Sequence, residues 1–229
     1  MKEKENNLIE KFFAFFRPIW MWIREKSPKG AYLKLGDYWI KDPSVPKIDR
    51  LFSRTRRKTN KPDYESNTIS AIKKYVRQGD KVTVVGGGYG ITAIAAIEQG
   101  GVVTVIEASK DRVQTISEIW KQYNLKGSII HGYVGSPISL WGELDGANKI
   151  DQLPDCDILE LDCEGAEREI LSNLNVSPRV IIVESHGHLG SPSKLIKDQL
   201  QNLGYNITSK MIENLENDVI VFVGEKNKV

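Results

Sequence analysis

The stretch KVTVVGGGYGITAIAAI, residues 81–97, decides the fold, because an apolar strand runs through a glycine cluster into a helix. Glycines between a strand and a helix let the backbone approach a bound ligand closely. A dinucleotide-binding G-x-G-x-x-G pattern starting at Gly86 needs glycine at position 91, where the chain has Ile91. The pattern present is G-x-G-x-G, formed by Gly86, Gly88 and Gly90. This segment therefore predicts a ligand-binding turn in an α/β fold.

Apolar strands and helices alternate along the chain after residue 62. Strands are predicted over 81–85, 102–107, 127–134, the start of 156–171, 179–186, 205–212 and 218–224. Helices are predicted over 66–77, from the glycine cluster to Ala96, over 110–123, at the end of 156–171 and over 193–203. Such alternation predicts a mostly parallel sheet with helices on both faces. Because only a short turn joins the last two strands, they form an antiparallel C-terminal hairpin. We therefore predict a Rossmann-like α/β fold with seven strands.

The composition is that of a globular protein. A length of 229 residues allows one well-cored α/β domain with additions. The formal net charge of +2 gives no indication of a partner, so any basic character is local. The two cysteines, Cys156 and Cys163, are too few for a zinc site and suggest no disulfide framework. We therefore expect a cytoplasmic protein.

An acid follows the glycine cluster at the spacing of a nucleoside site. Glu107 ends the next strand, about 20 residues after the loop, where a carboxylate can bind both ribose hydroxyls. The alternative is a solvated acid at a strand end, and the preceding loop favours binding. The three loop glycines and Glu107 resemble the S-adenosylmethionine (SAM) site of class I methyltransferases. Those enzymes usually carry an acid two residues before the first glycine, where this chain has Val84.

Carboxylates also stand at the ends of two other predicted strands. Asp162 and Glu164 follow the apolar run of CDILELDCEGAEREIL, residues 156–171, and the fifth strand ends in Glu184 and His186. In an open parallel sheet, ligands bind outside the carboxyl ends of the strands. We therefore expect these four residues to converge with the glycine loop, as candidate catalytic residues. The alternative for Glu164 is a helix-start role, which the helix macrodipole favours.

The segment 156–171 resembles the K-I-D-V-E-G-A-E-x-x-V-L signature of FkbM-type class I methyltransferases. The matching residues are Asp162, Glu164, Gly165, Ala166 and Glu167, with Glu184 and His186 after the fifth strand. The resemblance covers roughly residues 62–225. It implies SAM-dependent O-methylation of a hydroxyl on a glycan, a glycolipid or a related small molecule. The cofactor-binding residues that it implies are Gly86, Gly88, Gly90, Glu107, Ala108, Tyr133 and Asp162.

A hydroxyl acceptor needs a group that removes its proton as the methyl group is transferred. Asp162, Glu164, Glu184 and His186 are the candidates, and the ordinary pKa of His186 lies nearest to neutral. The alternative is a divalent metal ion bound by Asp162, Glu184 or His186, which would lower the pKa of the hydroxyl. Oxygen ligands would suit Mg²⁺.

Residues 1–61 are interpreted as an extension of a methyltransferase domain over 62–229. The segment 8–26 is strongly apolar and aromatic, but Arg17-Pro18 interrupts it before the roughly 20 apolar residues that a membrane span needs. Three roles remain open for it. It could pack on the domain, bind a partner protein, or lie at a membrane surface as a peripheral anchor.

The segment 47–61 carries seven basic residues against Asp49 alone. A solvated surface is the simplest interpretation. The alternative is phosphate binding, which would make the protein an RNA methyltransferase. A second alternative is a non-catalytic SAM-fold binding module, with Val84 as a trace of lost catalysis. A nicotinamide-dependent enzyme is disfavoured by Ile91.

Overall fold

The computed structural model describes residues 32–36, 38–41, 63–136 and 146–226. The predicted aromatic helix over 8–26 and the basic segment over 47–61 lie outside these ranges. The chain divides into two compact units, Met1–Pro62 and Asp63–Val229. In the first unit, strands β1 (Tyr32–Leu35) and β2 (Tyr38–Lys41) form an antiparallel hairpin.

The second unit is built on one mixed sheet. Its strands are β3 (Lys81–Val85), β4 (Val102–Glu107), β5 (Ser128–Val134), β6 (Asn148–Ile150), β7 (Ile158–Leu161), β8 (Val180–His186), β9 (Tyr205–Asn214) and β10 (Val219–Lys226). Its helices are α1 (Ser66–Tyr75), α2 (Ile91–Glu98), α3 (Lys110–Gln122), α4 (Glu167–Ser172) and α5 (Ser193–Asn202), with a 3₁₀ turn over Gly187–Leu189. The strand order is β6-β5-β4-β3-β7-β8-β10-β9. Strand β10 pairs antiparallel with β8 and with β9, and the other neighbouring strands of this sheet pair in parallel. The predicted mostly parallel sheet with an antiparallel C-terminal hairpin is confirmed.

The sheet has eight strands where the sequence predicted seven. The additional strand, β6, pairs in parallel with residues Gly132–Val134 of β5 at the sheet edge. It contains only Asn148, Lys149 and Ile150, and two of these side chains are exposed. A three-residue polar segment shows no apolar alternation, so periodicity could not predict it.

The two faces of the sheet pack against different helices. On one face, Val85, Leu161 and Phe222 form a core cluster with Ile170 of α4 and Ile196 of α5. Full burial of such a side chain contributes about 1.5–3 kcal/mol to folding. On the other face, α1 packs against α2 and contacts β8 and β10. Within the described residues, no helix combines the length and the apolar character that a membrane span requires.

The register of the parallel strands determines where the loops begin. Val85 of β3 pairs with Ile106 of β4 and with Leu161 of β7, and Leu161 pairs with Val183 of β8. Since the strands are parallel and in step, the residues after these positions lie at one edge of the sheet. One edge of the sheet therefore carries the glycine loop, Glu107, Asp162 and Glu184.

Candidate functional site

The glycine loop packs on the segment that follows β7. Gly86 has φ +90°, and a Cβ there would lie 1.7 Å from the carbonyl oxygen of Asp162. Only glycine allows this approach of the two backbones. Gly88 has φ +51°, and the one described atom that a Cβ there would meet within 4 Å is the Tyr64 hydroxyl, at 3.8 Å. One glycine therefore joins the loop to Asp162, while Gly88 faces open space that a ligand can use.

Glu107 connects the end of β4 to the glycine loop. Its Oε2 accepts the Gly88 N–H at 3.0 Å, and its Oε1 accepts the Ser109 N–H at 2.7 Å. Burial raises the pKa of the Glu107 carboxyl above its ordinary value. Each carboxylate oxygen has a further lone pair, so both can accept hydroxyl donors from a ribose. This geometry fits the nucleoside-binding role that the sequence predicts.

The far side of the predicted cofactor site is formed by β5. His131 Nε2 donates to the carbonyl oxygen of Ala108 at 3.1 Å, which ties β5 to the residue after Glu107. Tyr133 lies two residues further along β5, paired with Lys149 of β6. His131 could not be recognised from the sequence, because nothing in its local pattern differs from an ordinary strand residue.

Four predicted catalytic residues lie together beyond the loop. The Nε2 atom of His186 is 3.5 Å from Asp162 Oδ1, 3.6 Å from Glu164 Oε2 and 3.7 Å from Glu184 Oε1. The His186 side chain is only 5% exposed, whereas that of Asp162 is 24% exposed. The imidazole is therefore the buried centre of a group of carboxylates, and Asp162 is more open to solvent.

Glu167 holds His186 from its other side. The His186 Nδ1–H donates to Glu167 Oε1 at 3.0 Å. The same carboxylate accepts the N–H groups of Cys163 at 2.7 Å and of Gly165 at 3.0 Å. Burial opposes ionisation of Glu167, but the hydrogen bond and charge of His186 lower its pKa overall. Glu167 is therefore a buried carboxylate that orients the ring of His186.

His186 and the carboxyl groups around it shift one another's pKa values. Burial favours neutral His186, but the bond to Glu167 and the charge of Asp162 raise the pKa of His186 to about 9. Burial raises the pKa of Asp162 to about 7, although the charge of His186 opposes this rise. Burial and the charge of Asp162 raise the pKa of Glu184 to about 9. These shifts favour an imidazolium at His186 and a neutral carboxyl at Glu184 near neutral pH, and Asp162 ionises more readily than Glu184.

Glu164 precedes the helix instead of starting it. Helix α4 begins at Glu167, with Ala166 at its N-cap. Glu164 has φ +53°, a left-handed conformation that is unfavourable for a residue with a Cβ, and Gly165 follows at φ +109°. The alternative helix-start role for Glu164 is therefore wrong. The turn instead directs its carboxylate to His186.

Aromatic residues border the glycine loop. The rings of Tyr64 and Tyr89 meet edge to face, with centroids 6.1 Å apart. The Arg112 guanidinium lies 4.0 Å from the centroid of the Tyr89 ring. This contact links the first turn of α3 to the loop. These ring contacts could not be predicted from the sequence, because Tyr64, Tyr89 and Arg112 are far apart along the chain.

The fold has many relatives of known structure. A ribosomal protein L11 methylase from Lactobacillus delbrueckii subsp. bulgaricus is 18% identical, with a TM-score of 0.53 over 74% of this chain and 82% of that chain. The precorrin-6y C5,15-methyltransferase of Geobacter metallireducens GS-15 is 16% identical, with a TM-score of 0.50 over 80% of this chain and 100% of that chain. The chain has the class I methyltransferase fold.

A third structure with this methyltransferase fold contains the cofactor. Magnesium protoporphyrin IX methyltransferase from Synechocystis PCC 6803, with bound SAM, is 13% identical, with a TM-score of 0.50 over 71% of this chain and 80% of that chain. No protein-family model and no curated protein matches the sequence. At such identities the likeness concerns the fold, and the three named acceptors differ from one another.

Proposed function

We propose that this protein is a SAM-dependent methyltransferase related to the FkbM type. Its acceptor in this proposal is a hydroxyl of a glycan, a glycolipid or a related small molecule. The observation that carries the proposal is the contact chain from Glu107 through the glycine loop to Asp162. A nucleoside-binding acid and a group of buried titratable side chains therefore lie on opposite sides of one loop.

The described residues fit SAM in both charge and shape. Glu107 offers acceptor lone pairs to a ribose, and Gly88 has open space beside it. The carboxylates beyond the loop are Asp162, Glu164 and Glu184. Such a group suits a positively charged ligand. When bound, SAM supplies a sulfonium methyl group that transfers to a nucleophile without further activation.

Asp162 is the general base in this proposal. Its pKa of about 7 matches the operating pH, and its side chain is more exposed than that of His186. His186 is already protonated at neutral pH, so it cannot take the acceptor proton; its imidazolium instead orients Asp162 and stabilises its charge. Glu184 is neutral and can donate a hydrogen bond to an acceptor oxygen. The sequence left four candidates open for this role, namely Asp162, Glu164, Glu184 and His186.

Magnesium has no part in the proposed reaction. The centre that the three carboxylates share is occupied by the imidazolium of His186. Asp162, Glu167 and His186 each bring a ligand atom within 4.8 Å of the others. However, Glu167 already accepts three hydrogen bonds. A metal ion could bind the imidazole only by displacing its proton, and Mg²⁺ prefers oxygen ligands to an imidazole nitrogen. This donor set therefore suits Mg²⁺ poorly.

The test separates cofactor binding from catalysis. We expect calorimetry to show that the full chain binds S-adenosylhomocysteine (SAH). With radiolabelled SAM and a panel of glycans and glycolipids, we expect methyl transfer that Asp162→Asn lowers by about 100-fold or more. The same variant should keep its SAH affinity within about threefold. Glu216→Gln, an exposed charge change in the β9–β10 turn, is the control and should retain full activity.

Two results would contradict this proposal in different ways. Binding of SAH without transfer to any hydroxyl acceptor would favour the non-catalytic binding module. Transfer to RNA, with affinity falling steeply as salt rises, would favour the RNA methyltransferase alternative. Absence of SAH binding would remove the methyltransferase proposal itself.

A further inference from the structure

A buried carboxyl group with one unpartnered oxygen atom lies beneath the candidate site. Glu160 of β7 is 1% exposed, and its Oε2 is one of three buried side-chain polar atoms without a partner among the described residues. The other two are on α3 and α5, at Trp120 and Gln199. An unpaired buried polar group is unfavourable, so its presence calls for a functional reason.

The position of Glu160 in the sheet places it at the site. It precedes Asp162 by two residues, so both side chains project from the same side of β7. Its neighbour on β3 is Val84, and its neighbour on β8 is Ile182. Both neighbours are apolar, so neither can satisfy the carboxyl. The glycine loop begins two residues after Val84, directly above this point of the sheet.

The surroundings of Glu160 favour a cation. The charged groups that act most strongly on its carboxyl are all carboxylates, at Asp162, Glu65, Glu184 and Glu167. Burial and these charges raise the pKa of Glu160 well above its ordinary value, so the carboxyl is neutral without a ligand. A ligand that brings a positive charge and several N–H donors would satisfy the carboxyl and favour its ionised form.

The path of the proposed cofactor leads to this carboxyl. Glu107, the ribose-binding candidate, ends β4, and β7 lies two strands away across β3. Two strand spacings amount to about 10 Å across the sheet, and Glu160 lies two residues, about 7 Å, further from the sheet edge than Glu107 does. The amino-acid end of SAM would extend from the ribose across β3 towards it. That end carries a primary ammonium, a cation with three N–H donors. Rotation about the side-chain bonds of Glu160 can carry the carboxyl towards the edge of the sheet.

We propose that Glu160 binds the α-ammonium group of the methionine part of SAM. This inference rests on the proposed function, because it requires SAM as the ligand. In this proposal, β7 supplies the anionic group that binds the ammonium of the cofactor. The neighbouring residue on β3, Val84, is apolar and cannot do so. The anchor would hold the amino-acid end of the cofactor while Glu107 holds the ribose.

A thermodynamic cycle tests this assignment by measuring the affinity of two proteins for each of two ligands. The proteins are the wild type and Glu160→Gln, and the ligands are SAH and its analogue with hydrogen in place of the α-amino group. In calorimetry, we expect the substitution to weaken SAH binding by about tenfold or more and binding of the analogue by less than about twofold. Glu216→Gln serves as the control, and both of its affinities should match those of the wild type.

The outcomes separate this inference from the proposed function. Equal losses for SAH and the analogue in Glu160→Gln would mean that Glu160 acts on the structure of the site, which overturns the inference. If that variant does not fold, the wild type alone provides the test. Equal affinities of the wild type for SAH and for the analogue would also overturn the inference. If the wild type binds neither ligand, the proposed function fails, and this inference fails with it.

Discussion

Replacement of Glu167 by glutamine tests whether the buried carboxylate organises the site. Glu167 is fully buried and accepts hydrogen bonds from Cys163, Gly165 and His186. Glutamine has nearly the same shape, so the substitution removes the charge and one acceptor without leaving a cavity. The amide NH₂ must then face at least one N–H donor, and His186 loses its anionic partner.

The expected loss of stability follows from the hydrogen bonds and the ion pair that the substitution weakens. Each hydrogen bond to a charged group contributes about 1.5–3 kcal/mol, and removing one partner of a buried ion pair costs about 3–5 kcal/mol. We therefore expect Glu167→Gln to lower the free energy of unfolding by about 3–5 kcal/mol. This is a large part of the roughly 5–15 kcal/mol that stabilises a typical domain.

Urea unfolding at neutral pH measures this loss, and Glu169→Gln is a matched control. Glu169 lies in the same first turn of α4, and the control removes the same charge from the helix N-terminus. Among the described residues, its carboxylate accepts hydrogen bonds from the exposed Ser136 alone. We expect a loss below about 1 kcal/mol for this control. Titration of the His186 ring by NMR gives a second measurement, and its pKa of about 9 should fall towards 6.5 in Glu167→Gln.

Equal losses of stability in the two variants, with the pKa of His186 still near 9, would contradict the organising role of Glu167. Such a result would mean that Glu167 affects the protein only through the helix macrodipole. A large stability loss with an unchanged pKa of His186 would also contradict it, because the carboxylate would then not be the charge partner of the ring.

Two further predictions concern the pH dependence of stability and the glycine loop. The pKa of Glu184 is raised from 4.5 to about 9, so the folded state keeps a proton that the unfolded state has lost, and stability should fall as pH rises through this window. His186 acts in the same direction between 6.5 and about 9, so unfolding measured between about pH 6 and about pH 9 should show a decline that Glu184→Gln reduces. Gly86→Ala should cost about 2–5 kcal/mol, because its Cβ would lie 1.7 Å from the Asp162 carbonyl oxygen at φ +90°. Gly79→Ala, at φ +84° with no atom within 4 Å, should cost only about 1–2 kcal/mol, and equal losses in urea unfolding would contradict the packing argument.

Local sequence pattern was sufficient for the strands that are long and apolar. The segment 81–85 is bounded by a turn and a glycine cluster, and its burial matches a central strand of a parallel sheet. The final hairpin followed from the short turn before β10. In contrast, β6 and the left-handed turn at Glu164 carry no periodic signal, because each depends on contacts with distant segments.

The candidate site was predictable in location but not in chemistry. Strand-end positions brought Asp162, Glu184 and His186 to one edge by a general rule of parallel sheets. Their protonation was not predictable, because it depends on burial and on the distances between the three side chains. Our proposal of Asp162 as the base uses these distances and burials, whereas the sequence alone left four candidates open.

Sequence alone was enough to predict the alternation of strands and helices, the glycine turn and the acids at the strand ends, because each is a local property of neighbouring residues. The lateral order of the strands came only from the three-dimensional fold. The placement of β3 next to β7, far apart in sequence, packs Gly86 on Asp162 and sets Glu160 beside Val84. The same packing buries Glu167 against His186. Low-dielectric surroundings then make the energies of these charged groups depend on their neighbours in space, which a linear pattern does not contain.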